Sequence, residues 1–135
     1  MGLDQNLYTR DGQGLIYWRK VNCLHKYFTE RALNKDEVDG DNCIDFIIDR
    51  ADLIELVDNC ETILKAYIFG INDEAPESNP WYKLAESLLP PQGGFFFGST
   101  ELDSWYLSNL VDIIKKVQWV LGACDDEEFI YNAWY

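Results

Sequence analysis

The sequence predicts one α+β domain over residues 1–135, with a small antiparallel or mixed β-sheet and about four helices packed against it. The chain has 135 residues, of which 47% are hydrophobic and 15% aromatic, enough to bury a core. The predicted elements follow the order β-β-α-β-α-α-β-α-β, which is typical of a sheet with helices against it. No internal repeat or domain linker interrupts that order.

The N-terminal third predicts a β-hairpin followed by a helix. Strands are expected over residues 3–10 and 15–19, because the segment between them, Asp11-Gly12-Gln13-Gly14, is a strong turn signal. A first helix is predicted over residues 20–33, where hydrophobic residues share one helical face: Val21, Leu24, Phe28 and Ala32.

The middle of the chain predicts an acidic loop over residues 34–42, a short strand over 43–48 and a long amphipathic helix over 50–69. Asp49 is the expected N-cap, and Gly70 the residue at which the helix ends. One face of this helix is apolar, with Leu53, Leu56, Val57, Cys60, Ile63, Leu64 and Tyr67. The opposite face carries an acid every three residues: Asp52, Glu55, Asp58 and Glu61.

The C-terminal part predicts two more helices and a final strand. A surface loop is expected over residues 71–79, and Ser78 or Asn79 would cap a helix from Pro80 to residue 88. A brief apolar strand is expected over 95–97. A fourth helix would then start from a capping box of Thr100 and Asp103 and end at Gly122, before a terminal strand over 129–135.

Charge is distributed unevenly along the chain. Residues 1–35 carry six bases and three acids, whereas residues 36–135 carry five bases and twenty-one acids. The net charge of −13 exceeds what solubility requires and predicts attraction of a cationic partner.

Several classes of function are not expected. No apolar run is long enough to span a membrane, and an anionic surface is repelled by acidic lipid and by nucleic acid. The four cysteines, Cys23, Cys43, Cys60 and Cys124, include no C-x-x-C pair and are expected to be reduced thiols of a cytoplasmic protein. With His25 as the single histidine and no nucleophile–base pair, we expect no metal, no cofactor and no enzyme activity.

Two motifs form a candidate ligand pocket for an anion such as a phosphate. Cations, aromatics and an amide cluster between residues 17 and 25, and Gly-Ser-Thr precedes the fourth helix. The candidate residues are Tyr17, Trp18, Arg19, Lys20, Asn22, His25, Ser99, Thr100, Asp103 and Tyr106. Helical spacing puts Asp103 on the apolar face, where Arg19 or His25 would be its partner. A tight turn with an N-cap, a core histidine and local charge neutralisation are the alternative explanations.

Trp105 and Trp119 form a second candidate site. Together with Asp112 they recur every seven residues on the side of the fourth helix opposite its apolar stripe. Exposed tryptophans are typical of protein contacts. The alternative is that the loop 71–79 or the C-terminal segment covers them.

Three motifs resemble a group of small proteins of bacteriophage and prophage genomes. These are MGLD with a following LY, then YWRKxNxxH from Tyr17 to His25, then GFFFGSTExDxWY from Gly94 to Tyr106. The resemblance implies a phage origin, and therefore the cytoplasm of a host cell as location. It also implies that the second and third motifs form one site or one structural joint.

Two functions are therefore expected, both of them binding. The first is an acidic inhibitor, of the anti-CRISPR or anti-restriction type, that occupies a basic nucleic-acid-binding surface of a host defence protein. Its binding surface would comprise Asp36, Glu37, Asp39, Asp41, Asp52, Glu55, Asp58, Glu61, Asp125, Asp126, Glu127 and Glu128, with Trp105 and Trp119 as apolar anchors. The alternative is a protein that sequesters a phosphorylated small molecule or nucleotide signal between residues 17–25 and 95–106. The oligomeric state stays open.

Overall fold

A four-stranded antiparallel sheet brings the two ends of the chain together. The computed structural model describes residues 2–70 and 80–135. The strands are β1 (Asp4–Thr9), β2 (Gly14–Arg19), β3 (Phe46–Asp49) and β4 (Glu128–Trp134). They lie in the order β2-β1-β4-β3, so the C-terminal strand lies between β1 and β3. The α+β prediction is confirmed, and the sheet is antiparallel throughout.

Four α-helices accompany the sheet in the described residues. They are α1 (Asn22–Arg31), α2 (Arg50–Phe69), α3 (Pro80–Leu88) and α4 (Ser104–Ala123), with a short 3-10 helix at Lys35–Glu37. The predicted bounds of α2 and α3 are confirmed. Asp49 accepts a hydrogen bond from the backbone N–H of Ala51, as expected of the N-cap of α2. The predicted loop 71–79 and the predicted cap at Ser78 or Asn79 lie outside the described residues.

The first helix is shorter than the pattern predicted. Lys20 has a φ of 58°, a left-handed conformation in which an α-helix cannot begin. At the other end, Ala32 leaves the helical region with a ψ of 140°. The apolar face is nonetheless buried as expected, including Leu24 and Phe28.

The segment before α4 differs from the prediction in two ways. Residues 95–97 form a turn instead of a strand, with the N–H of Phe97 bonded to the carbonyl of Gly94 at 3.1 Å. Asp103 is itself the N-cap, because its carboxylate accepts from the N–H of Tyr106 at 3.1 Å. The predicted capping box at Thr100 is therefore wrong, and Asp103 is exposed rather than on the apolar face.

The helices cover one face of the sheet. Side chains on that face alternate with exposed or half-buried ones along each strand, as expected of a sheet with one buried face. They include Leu7, Ile16, Trp18, Ile48, Phe129 and Tyr131, which join buried residues of α1, α2 and α4 in one hydrophobic core. The other face of the sheet is left half-exposed.

Candidate functional site

Asn22 joins the two motifs of the predicted pocket. Its side-chain amide donates to the carbonyls of Phe97 and Ser99, at 3.0 and 2.9 Å, and its oxygen accepts from the N–H of Gln92 at 3.0 Å. The residue is 5% exposed. The two motifs do lie together, and they are held by hydrogen bonds to backbone that occupy both ends of the Asn22 amide.

The backbone around this junction is also paired. The N–H of Leu3 donates to Phe96 and the N–H of Lys20 donates to Leu3, at 3.1 and 2.8 Å. Gly98, with a φ of +84°, lies against Lys20, whose side chain would be 3.5 Å from a Cβ added there. The N-terminal residues, the strand-to-helix junction and the turn thus form one structural joint, named here the Asn22 joint.

Several other residues of the predicted pocket have local structural roles. The hydroxyl of Ser99 accepts from the N–H of Glu101 at 3.0 Å, a turn contact, and Asp103 caps α4. The hydroxyl of Tyr106 donates to the carbonyl of Leu89 at 2.8 Å inside the protein. Thr100 is exposed. These contacts match the turn-and-cap explanation of the motif.

His25 is a fully buried core histidine with two hydrogen-bond partners. Its Nδ1 lies 2.7 Å from the hydroxyl of Tyr131 and its Nε2 lies 2.8 Å from Oδ2 of Asp41. The Tyr131 hydroxyl also accepts from the side chain of Gln5 at 3.0 Å. Burial lowers the pKa of His25 more than Asp41 raises it. The acid that pairs with His25 is therefore Asp41, and the predicted pairing with Asp103 is wrong.

Asp41 belongs to this internal network more than to an open acidic surface. It accepts hydrogen bonds from the side chains of His25 and of Tyr135, the C-terminal residue. Burial alone would raise its pKa, but those bonds outweigh burial and the pKa is lowered. Gln5, Tyr131 and Tyr135 were not among the residues predicted from the sequence. The available signal was an inward-facing glutamine between Leu3 and Leu7, because such a group needs a buried partner.

The remaining predicted acids divide into two groups. Asp36, Glu37 and Asp39 are exposed on the connection between α1 and β3. The others lie on α2 and on residues 125–128, which adjoin the first turn of α2. Asp49 pairs with Glu128 across the strands, and the N–H of Arg50 donates to the carbonyl of Glu127 at 2.8 Å. We name this second group, together with Asp49, which was predicted only as an N-cap, the acidic face: Asp49, Asp52, Glu55, Asp58, Glu61, Asp125, Asp126, Glu127 and Glu128.

Arg50 lies within the acidic face but directs its charge inward. Its guanidinium donates to the carbonyls of Leu121, Cys124 and Asp126, at 2.8, 2.7 and 3.2 Å. The acids here affect one another as well. The pKa of Asp52 is raised, first by partial burial and then by the charges of Asp49 and Glu55.

Two other bases touch the rim of the acidic face. Arg10 pairs with Glu128 at 2.8 Å, and Arg31 lies 3.9 Å from Glu55. Both pairs are solvent-exposed, where a salt bridge contributes little stability. The face therefore keeps a surplus of negative charge.

The two predicted outward tryptophans lie elsewhere, along a groove between β2 and α4. Trp105 is 50% exposed and Trp119 is 60% exposed. Trp119 and Leu15 line one part of the groove, about 380 Å³, and Trp105 and Arg19 line the adjoining part, about 310 Å³. Lys116 lies between the two parts, bonded to the carbonyl of Tyr17 at 3.0 Å and paired with Asp112 at 3.1 Å. We name this the β2–α4 groove.

Comparison with known protein families, with curated proteins and with solved structures finds no match. Within residues 2–70 and 80–135, no helix combines the length and apolar character needed to cross a membrane. The same residues hold no group of three or more His, Cys, Asp or Glu side chains placed to bind a metal ion.

Proposed function

We propose that this protein acts by binding, and that its acidic face engages a basic surface of a partner protein. The observation that carries the proposal is the pairing of β3 with β4, which brings residues 125–128 to the N-terminal end of the acidic stripe of α2. Two acidic segments far apart in sequence therefore adjoin at the first turn of α2, while the guanidinium of Arg50 is hydrogen-bonded to backbone carbonyls. A surface of this sign accelerates association with a cationic partner through long-range attraction.

The narrower form of the proposal rests on the resemblance to phage proteins. In that form the protein is a phage-encoded inhibitor that covers the nucleic-acid-binding surface of a host defence protein, in the manner of anti-CRISPR and anti-restriction inhibitors. A basic surface that binds phosphates presents the charge pattern that carboxylates can satisfy. The alternative, sequestration of a phosphorylated small molecule at the Asn22 joint, gains no supporting contact, because the amide of Asn22 already bonds to backbone.

The test compares two triple charge reversals that change the net charge equally. One converts Glu55, Asp58 and Glu61 of the acidic face to Lys, and its matched control converts Asp36, Glu37 and Asp39 to Lys. Each chain is used as bait in a bacterial lysate, and the captured proteins are identified, then titrated at about 50 and about 300 mM salt. We expect the wild type and the control to retain a basic, nucleic-acid-binding protein that duplex DNA displaces, with affinity falling about tenfold or more as salt rises.

The acidic-face reversal should lose that partner. Equal losses from both reversals would show that net charge alone drives capture and would contradict a specific face. Recovery of the same partner by the acidic-face reversal, or of a small molecule and no protein, would also overturn the proposal.

A further inference from the structure

The β2–α4 groove differs in charge from the rest of the molecule. The chain carries 24 acids and 11 bases, yet the groove is lined by three bases, Arg19, Lys115 and Lys116, and by one acid, Asp112, with Asp4 across the strands from Arg19. That acid is paired with Lys116 at 3.1 Å. The groove therefore favours a ligand that carries negative charge, the opposite of what the acidic face attracts.

The groove also offers apolar contacts at both ends. Trp105 and Trp119 lie fourteen residues apart on α4, which corresponds to about 21 Å along a helix. Leu15 lies across from Trp119. An extended peptide spans about 21 Å in six or seven residues, so a short segment can reach both tryptophans.

The wall opposite α4 is β2, the outermost strand of the sheet, whose one strand partner within residues 2–70 and 80–135 is β1. In an antiparallel strand, backbone groups point alternately toward and away from the neighbouring strand. The carbonyl of Tyr17 points away from β1, since it is met from the α4 side by the flexible side chain of Lys116. At the other edge of the sheet, the backbone of Ile47 in β3 is already paired. Its carbonyl accepts from the N–H of Leu33, and its N–H donates to the side chain of Asn34, both at 2.8 Å.

We propose that the β2–α4 groove binds an extended peptide segment of a partner protein, rich in acidic and apolar side chains, as a fifth strand along β2. The strand would bond to the outward backbone of β2, its apolar side chains would contact Trp105 and Trp119, and a carboxylate would pair with Lys115. Edge strands commonly accept an added strand in this way, and pockets for alternate side chains provide specificity.

Charge favours this occupant over two others. A second copy adding along β2 would bring Arg19 and Lys116 against the same cations, and each copy carries a charge of −13. A nucleic acid places one negative charge on every nucleotide, and three bases do not offset its repulsion by the whole chain. A peptide with a few carboxylates meets the same bases with far less repulsion.

The test uses mRNA display to select ligands from a library of random decapeptides, with the full chain as bait. Selected peptides are synthesised and titrated by their effect on tryptophan fluorescence. We expect a pool enriched in Asp, Glu and large apolar residues. Trp105→Ala, Trp119→Ala and Lys115→Glu should each weaken binding about tenfold. Trp134→Ala, an exposed tryptophan on β4, and Lys83→Glu, an exposed lysine on α3, are the matched controls and should change affinity less than about twofold.

Backbone pairing is tested with the same peptides. N-methylation at alternate residues removes the N–H groups that would face β2, and one of the two alternate methylation patterns should abolish binding while the other is tolerated.

Each of the following results would overturn the proposal. The selection yields no peptide whose binding is weakened by the groove substitutions, or the selected peptides are basic. A labelled ten-nucleotide oligothymidine binds with the same dependence on Trp105 and Trp119. Sedimentation shows a wild-type dimer that Trp119→Ala dissociates, which would make a second copy the occupant.

Discussion

The Asn22 joint and the β2–α4 groove begin from the same stretch of sequence and end in opposite situations. Both draw on residues 17–22, where aromatic, cationic and amide side chains follow one another. At the joint, the amide of Asn22 is buried and bonded to three backbone groups. Three to five residues earlier, in β2, Tyr17 and Arg19 lie at a sheet edge, in a groove that also holds two exposed tryptophans. Residue types suited to binding a ligand can therefore bind the chain itself, and burial decides between the two.

Substitution of Asn22 should have the largest effect on stability. Asn22→Ala leaves two carbonyls and one N–H without their partner in a buried setting, so we expect the free energy of unfolding to fall by about 3 kcal/mol. Urea denaturation measures the change. Asn109→Ala, in the wall of the β2–α4 groove, is the matched control and should stay within about 0.5 kcal/mol of wild type. An Asn22→Ala chain as stable as the control would contradict the structural role of the Asn22 joint.

A smaller effect is expected from pH at His25. Burial keeps the pKa of His25 below its ordinary 6.5, so the unfolded chain binds a proton more readily than the folded one. Stability should therefore fall as pH drops below about 6.5. The lowered pKa of Asp41 has the same sign and extends the loss below its ordinary 3.8.

The His25 contribution is isolated by comparison with His25→Gln, in urea denaturation at pH 7.5, 6.5, 5.5 and 4.5. His25→Gln should have a lower free energy of unfolding than the wild type at pH 7.5. The difference should shrink as pH falls, because protonation of the buried imidazole destabilises only the wild type. A constant deficit at all four pH values would show that His25 does not titrate differently in the folded protein.

The smallest effect on stability is expected in the groove. Trp119 is 60% exposed, so Trp119→Ala should change the free energy of unfolding by no more than about 0.5 kcal/mol. Thermal unfolding followed by circular dichroism checks this. A loss as large as that of Asn22→Ala would mean that Trp119 supports the fold, and that the groove and the Asn22 joint do not differ in their contribution to stability.

Periodicity and capping chemistry predicted most of the secondary structure. Asp49 and Gly70 mark α2 because an N-cap acid and a C-terminal glycine act within one helical turn. The same local reasoning failed for residues 95–97 and for Asp103. Three successive phenylalanines resemble a strand, but here their segment forms a turn bonded to Leu3 and Asn22, contacts that are more than seventy residues away.

The candidate sites were predictable only as lists of residues. Trp105 and Trp119 were expected to face outward, and they do, but the charges beside them come from Lys115, Lys116 and Arg19 rather than from the acidic stripe. Asp41 was expected on the acidic surface and lies in a network with His25 and Tyr135. In both cases the deciding neighbour is on another element, which a helical or strand period does not identify.

By itself, the sequence determined the α+β class, the bounds of α2 and α3, the hairpin and the surplus of negative charge, because these depend on composition and on interactions within a few residues. Only the tertiary structure decided that Asn22 bonds to a distant turn, that residues 125–128 adjoin the first turn of α2, and that β2 and α4 form a groove lined by three bases. The physical reason is that burial and charge proximity depend on which elements pack together, and strand order and helix docking arise from the whole chain.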